Sequence, residues 1–298
     1  MINRTSGFEL AAYLLPKALR GAAMSLPPQM RSGAEEFRLR EGRAATVLLR
    51  GKEIPLANGL EVIESDLAAV LEIATGASAY SAISDIRRGF LTARGGCRIG
   101  LCGSAVMGAG GAVTMKSLSS LAIRIPSEQK GCADNIFPEL KDKAGENLLI
   151  ISPPGGGKTT LLRELVRLYS ASGKRVAVAD ERGEIGAVWE GKAQFDLGPH
   201  TDILSGFPKA EAAMMLLRSM NPELIAIDEI TAPEDVTAAA GACNCGVSLI
   251  ATAHGTSAEE LTGRPIYRKL LGCGIFGRAV IIERRAGERE YRLEEIHI

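Results

Sequence analysis

Residues 148–161 read L-L-I-I-S-P-P-G-G-G-K-T-T-L, an aliphatic run that passes directly into a glycine cluster, a lysine and two threonines. An apolar run without polar alternation suits a strand buried on both faces of a parallel sheet. The expected order is strand, loop, helix, the arrangement of a phosphate-binding loop. Gly155, Gly156 and Gly157 allow the backbone to close its N–H groups around phosphate oxygens, where the following helix presents its positive dipole end. The expected nucleotide-binding set is Pro154, Gly155, Gly156, Gly157, Lys158, Thr159 and Thr160. In it Lys158 reaches the β- and γ-phosphates and Thr159 ligates Mg²⁺, so ATP and Mg are the expected cofactors. Ser152 stands where the pattern G-x-x-x-x-G-K-[ST] has its first glycine; it is small, and Pro153-Pro154 stiffens the turn behind it.

Two further strand tips carry acids. Residues 224–230, L-I-A-I-D-E-I, form an apolar run that ends in Asp228 and Glu229. This is the form of a Walker B element: the aspartate holds the metal and the adjacent glutamate polarises the attacking water as general base. An adjacent glutamate belongs to motor-type ATPases, which have an extra strand between the phosphate-loop strand and the Walker B strand. Residues 176–179 lead into D-E-R-G-E, so Glu181 and Glu184 are expected at the strand ends that line the ligand crevice. Residues 251–256, A-T-A-H-G-T, end a fourth strand, making Thr252 or His254 a candidate γ-phosphate sensor.

The chain has 298 residues, 46% of them hydrophobic, enough for two domains with sizeable cores. Lysine plus arginine equals aspartate plus glutamate at 35 each, and aromatics make up 4%. Neither value favours a nucleic-acid partner. Glu9, Lys17 and Arg20 interrupt the apolar residues of the first segment, and no run of membrane-spanning length follows, so no signal peptide or membrane span is expected and the default compartment is cytoplasmic. The six cysteines lack zinc or disulfide spacing and are expected to be small buried hydrophobes.

The first thirty or so residues read as helical up to Pro27-Pro28. An α+β region follows, with strands at 37–40, 46–49 and 54–56, a helix capped at Ser65-Asp66 that runs to about 75, and a second helix near 81–88. Short strands at 90–93, 97–106, 112–115 and 119–125 read as a meander, and Pro126, Gly131 and Pro138 mark a linker. Beyond it, strands at 148–152, 175–180, 223–228 and 247–253 alternate with helices at 158–171, 209–220 and 234–243, the texture of a parallel sheet. A hairpin, 279–283 with 290–294 around Ala286-Gly287, closes the sequence. The expected fold is α/β, with an N-terminal α+β domain and linker at 1–140 and a P-loop domain built on a parallel sheet at 141–298.

In this order and spacing, S-P-P-G-G-G-K-T-T-L-L-R, D-E-R-G-E-I, L-I-A-I-D-E-I and A-T-A-H-G-T-S resemble the stage III sporulation protein AA family. More distantly they resemble the type II and type IV secretion and pilus ATPases. F-R-L-R-E-G-R, G-G-C-R-I-G-L-C-G and L-A-I-R-I-P resemble that family's N-terminal blocks, so the likeness runs through most of the chain. It implies a RecA-like P-loop ATPase domain at 141–298 in a hexameric ATPase, peripheral at a membrane, that powers or assembles the channel between mother cell and forespore. The implied partners are other copies of the chain and membrane-bound channel proteins. In such ATPases arginines of the N-terminal domain and linker approach nucleotide phosphates, and Arg98 and Arg124 match them here. Two other functions compete with this one: a RecA-type nucleic-acid translocase, and a scaffold that binds nucleotide with little turnover.

Overall fold

Helix, strand and loop are described for residues 4–56, 59–76, 89–108, 111–142, 146–285 and 288–296 of this computed structural model. They fall into two units, Met1–Glu128 together with Ala187–Phe195, and Gln129–Gly186 together with Asp196–Ile298. Relative to a division at 140/141, residues 129–140 join the second unit and 187–195 join the first.

The first unit opens with helices α1 (Arg4–Tyr13), α2 (Lys17–Met24) and α3 (Pro28–Gly33). Pro28 starts α3 rather than merely ending what precedes it, because at the first helical position a missing N–H is no loss. Strands β1 (Ala34–Arg40), β2 (Thr46–Leu49) and β3 (Lys52–Pro55) follow, then helix α4 (Glu64–Thr75) and strands β4 (Phe90–Ala93), β5 (Cys97–Gly108) and β6 (Gly111–Arg124). They form one antiparallel sheet in the order β3-β2-β1-β6-β5-β4. The two strands expected at 112–115 and 119–125 are a single strand, whose pairing with β5 absorbs register shifts near Gly103. Asp66 does not start α4; it sits inside the first turn and accepts the Ile63 N–H at 3.1 Å. The helix expected near 81–88 and the turn at 286–287 lie outside the described residues. Phe8 of α1 meets Phe37 of β1 edge-on at 5.1 Å, both fully buried, and each contributes about 1.5–3 kcal/mol by leaving water. Close approach of α1 to the end of the sheet requires Gly7, where a Cβ would stand 2.0 Å from the Pro126 carbonyl oxygen.

Residues 187–195 complete this unit. The Gly95 N–H donates to Gln194 Oε1 at 2.8 Å, and the Phe195 ring lies 3.1 Å from where a Gly96 Cβ would stand.

The second unit has a seven-stranded sheet in the order β13-β12-β7-β11-β10-β8-β9. Its strands are β7 (Leu148–Ser152), β8 (Val176–Asp180), β9 (Thr201–Ser205), β10 (Leu224–Ile227), β11 (Ser248–His254), β12 (Arg278–Arg285) and β13 (Glu288–Glu295). All neighbours are parallel except β12 and β13. Strand alternation splits each aliphatic run between two layers. Leu148, Ile150, Val178 and Ala226 pack with Leu161, Leu162 and Leu165 of helix α6 (Lys158–Ala171), while Leu149, Ile151, Ala179 and Ile227 pack with helices α7 (Lys209–Ser219) and α8 (Pro233–Asn244). Burial on both faces is why these strands read as continuous hydrophobic runs. β9 escapes that pattern: T-D-I-L-S is partly exposed at the sheet edge and has no apolar run to announce it. The linker expected around 126–138 ends in a short helix, α5 (Phe137–Asp142). Helices α9 (Ala258–Thr262) and α10 (Pro265–Gly272) lead from β11 to the closing hairpin, which pairs into the same sheet through β12.

β11 stands between β7 and β10, the extra strand expected between the phosphate-loop strand and the strand that leads into Asp228 and Glu229. The parallel registers bring the C-terminal tips of β7, β8, β10 and β11 to one edge, delivering the glycine loop, Asp180, Asp228 and His254 there. Among the described residues no helix is long and apolar enough to cross a membrane. The cysteines depart from expectation: burial pushes the Cys97 thiol up to about 12, but Cys102, Cys245 and Cys273 are exposed.

Candidate functional site

Gly155 (φ +72°) and Gly157 (φ +108°) adopt backbone that side chains rarely permit, and Gly157 directly precedes α6. Gly156 is required by space, since a Cβ there would stand 1.6 Å from Ser152 Oγ. This accounts for Ser152 in place of a glycine: buried as the last residue of β7, its hydroxyl occupies room that Gly156 leaves. Pro154 and Gly155 are exposed.

Lys158 is only 6% exposed. Its ammonium donates to the carbonyl oxygens of Ser152 at 3.0 Å and Pro153 at 3.3 Å, and to His254 Nδ1 at 2.7 Å. Burial pushes the Lys158 pKa down, opposed by the charges of Asp228 and Glu229. An ammonium has only protons to give, so Nδ1 is an acceptor and the imidazole carries its proton on Nε2. That nitrogen lies 3.1 Å from Glu229 Oε1. One imidazole thus connects the loop lysine to the strand-tip glutamate.

A second chain of contacts runs parallel to the first. Thr159 Oγ1 donates to Asp228 Oδ2 at 2.8 Å, and Thr252 Oγ1 donates to Asp228 Oδ1 at 2.7 Å. Thr252 also accepts the Glu229 N–H at 2.8 Å and is fully buried, so both its roles are spent on orienting the two acids. The Thr159 hydroxyl and Asp228 carboxylate are adjacent hard oxygen donors. A Mg²⁺ ion that keeps most of its water and phosphate ligands fits such a pair.

Glu229 has φ +50°, a conformation that costs a non-glycine residue about 1–3 kcal/mol. The surroundings enforce it. Lys209, buried at the start of α7, donates to the Glu229 carbonyl at 2.6 Å and to Thr231 Oγ1 at 3.0 Å, and lies 3.4 Å from Asp235 Oδ2. With Thr252 on its N–H and Lys209 on its carbonyl, Glu229 is gripped on both sides and its carboxylate is aimed at His254. Exposed Arg182 approaches its other oxygen at 3.5 Å.

At the tip of β8 the acids separate by role. Asp180 is buried and accepts the N–H groups of Glu184 at 2.9 Å, Ile185 at 3.2 Å and Gly186 at 2.9 Å. Burial pushes its pKa up against those three hydrogen bonds. Arg163 of α6 fastens the same loop by donating to the carbonyls of Glu184 and Ile185 at 2.6 and 2.7 Å. Glu181 is exposed, 3.9 Å from the Lys209 ammonium. An Asp180→Asn variant would turn an amide N–H toward backbone donors, so it is expected to lose about 1–3 kcal/mol of stability, read from the denaturant midpoint. A midpoint equal to the parent's would remove the loop-organising role of Asp180.

Lys158, Thr159, Asp228, Glu229 and His254 therefore form one contact network. Arg98 and Arg124 belong to the first unit, where they are register partners across β5 and β6 and the Arg98 guanidinium lies 4.0 Å from the Phe90 ring centre. The sequence did not single out Lys209, Asp235 or Arg264, whose Nη1 donates to the His254 carbonyl at 2.6 Å. Their only sequence signal was position beside a helix start.

The comparisons agree with this fold. The PilT pilus retraction motor with bound ADP superposes with a TM-score of 0.61 at 15% identity, over 89% of this chain and 80% of that one. The DotB ATPase of Yersinia pseudotuberculosis gives a TM-score of 0.58 at 16% identity, over 89% and 76%. At such identities the likeness shows fold alone. In sequence, the stage III sporulation protein AA of Bacillus subtilis (strain 168) is 35% identical over 281 residues, 93% of this chain and 91% of that protein. The SEEDLING PLASTID DEVELOPMENT 1 protein of Arabidopsis thaliana is 31% identical over 137 residues, 44% of this chain but 19% of that protein. The family model for sporulation stage III, protein AA, matches residues 15–292, and with the RecA-like fold and the contact network in view, the chain belongs to that family.

Proposed function

We propose that this chain is an ATP-hydrolysing motor of the secretion-ATPase type, and that as a ring it powers or assembles the channel between mother cell and forespore during sporulation. The observation that carries the proposal is the Lys158–His254–Glu229 connection. It supports a division of labour in which Lys158 binds the β- and γ-phosphates, Glu229 takes a proton from the attacking water, and His254 reports between them. When Lys158 turns to phosphate, His254 Nδ1 loses its partner while Nε2 still faces Glu229. The presence of a γ-phosphate is then felt at the base. Thr159 and Asp228 would hold Mg²⁺, which when bound with the nucleotide offsets charge on the phosphate oxygens. Glu181 stands 3.9 Å from the lysine that grips Glu229 and is the first alternative to Glu229 as base, with Glu184 the other β8-tip candidate.

The proposed chain acts from the cytoplasm on membrane-bound channel proteins. The test is solution mass and phosphate release with and without ATP and Mg²⁺. A nucleotide-dependent hexamer with turnover is expected, and a monomer that releases no phosphate would end the motor proposal.

Arg98 and Arg124 are proposed to meet charge that grows on the phosphoryl group in a neighbouring subunit. Removing either should impair turnover more than ATP binding. Mixing then reads the geometry: a Glu229→Gln subunit donates a sound arginine, and an Arg124→Ala subunit donates a sound loop and base. Mixed rings should regain activity that neither variant has alone, and the same holds for Arg98. Co-assembled mixtures showing only the average of two inactive proteins would exclude action across the interface.

A further inference from the structure

β12 lies parallel to β7, with Arg278 beside Leu148 and Ile281 beside Ile151. β7 ends at Ser152, whereas β12 continues to Arg285, so its last residues run beside the glycine loop instead of a strand. The β12–β13 register sets Arg284 directly opposite Arg289.

Alternation sorts the hairpin's charges between its faces. Glu283, Arg285, Glu290 and Arg292 share one face and neutralise one another: Arg285 pairs with Glu283 at 3.2 Å and Glu290 at 3.5 Å, and Arg292 pairs with Glu283 at 3.0 Å. Arg284 and Arg289 share the other face. Among the described residues no carboxylate pairs with either. Like charges set directly opposite each other weaken a strand pair, so this face carries a cost that an anion would remove. The side chains reach the loop. Arg284 Nη2 lies 3.4 Å from the Gly155 carbonyl oxygen, and a Cβ on Gly157 would stand 2.8 Å from both Cζ and Nε of Arg289.

We propose that Arg284 and Arg289 are phosphate-binding residues supplied by the same chain as the loop, closing on the β- and γ-phosphates from the side opposite Lys158. This rests on the nucleotide-binding role proposed above for the loop. Two guanidinium forks and one ammonium give the polyphosphate a cationic surround, and guanidinium geometry matches phosphate oxygens two at a time. The pair is distinct from Arg98 and Arg124, which belong to the first unit and are proposed to act on a neighbour.

The test is ATP affinity, measured by competition against a fluorescent ADP analogue, at low and high salt. The Arg284→Ala/Arg289→Ala double variant should bind ATP about 10- to 100-fold more weakly at low salt. The difference should shrink at high salt, because exposed charges are screened. An Arg289→Lys variant keeps charge without the fork and should fall between, with the thermal midpoint near the parent's. Parental affinity in the double variant overturns the proposal, as does a loss that is equal at both salt concentrations and accompanied by a lowered midpoint. A parental chain that binds no ATP at all would instead remove the role of the loop, and the arginine proposal with it.

Discussion

Replacing Lys158 with alanine is expected to abolish ATP binding, with affinity lowered on the order of 100-fold or more, since charge-assisted hydrogen bonds contribute about 1.5–3 kcal/mol each. The ammonium stands at the base of the loop, held by the carbonyls of Ser152 and Pro153 and by His254. It is the one cation of the loop itself, and the arginines of the closing hairpin approach from outside. Alanine is the best helix former and Lys158 opens α6, so the helix should persist and the loss should be local. Calorimetric titration decides: unchanged affinity would remove the phosphate-loop assignment and every role built on it.

Glu229→Gln is expected to keep ATP binding and lose about 10²- to 10⁴-fold in turnover. The amide oxygen can still accept from His254 Nε2, and the backbone stays clamped by Thr252 and Lys209, so shape survives while the base is gone. The result to look for is a fall in kcat without a matching change in nucleotide affinity. A variant that turns over at nearly the parental rate would move the base elsewhere. Glu181 would then be examined before Glu184, because it already lies 3.9 Å from the lysine that holds Glu229.

Where a candidate site residue stood in a short contiguous pattern, the sequence was enough to place it at a strand tip. The run into Gly155–Gly156–Gly157–Lys158, the acids after 224–227 and the histidine after 248–253 each announce a strand tip, and parallel pairing can only bring such tips to one edge. The family blocks near 37–43, 95–103 and 121–126 likewise stand in β1, β5 and β6 of a single sheet. Continuous aliphatic runs fixed the central strands because burial on both faces leaves no polar position to blur them. β9 and the unbroken length of β6 were not legible for the opposite reason: an edge strand, and the exposed or partly exposed stretch of β6 at 115–120, need no apolar run.

Only the tertiary structure gave each acid its surroundings. Asp180 and Glu181 are neighbours in D-E-R-G-E, yet one is buried under three backbone N–H groups and the other is exposed near Lys209. Composition cannot separate them, because the distinction is made by a loop folding back over one carboxylate. The strained backbone of Glu229 and the tautomer of His254 depend on Thr252, Lys209 and Lys158, which meet only when β10, β11 and the starts of α6 and α7 converge. Arg284 and Arg289 are separated from Gly157 by more than a hundred residues of sequence and look like ordinary surface charge. β12 pairs with β7 and outlasts it, and that difference in strand length is what carries them to the loop.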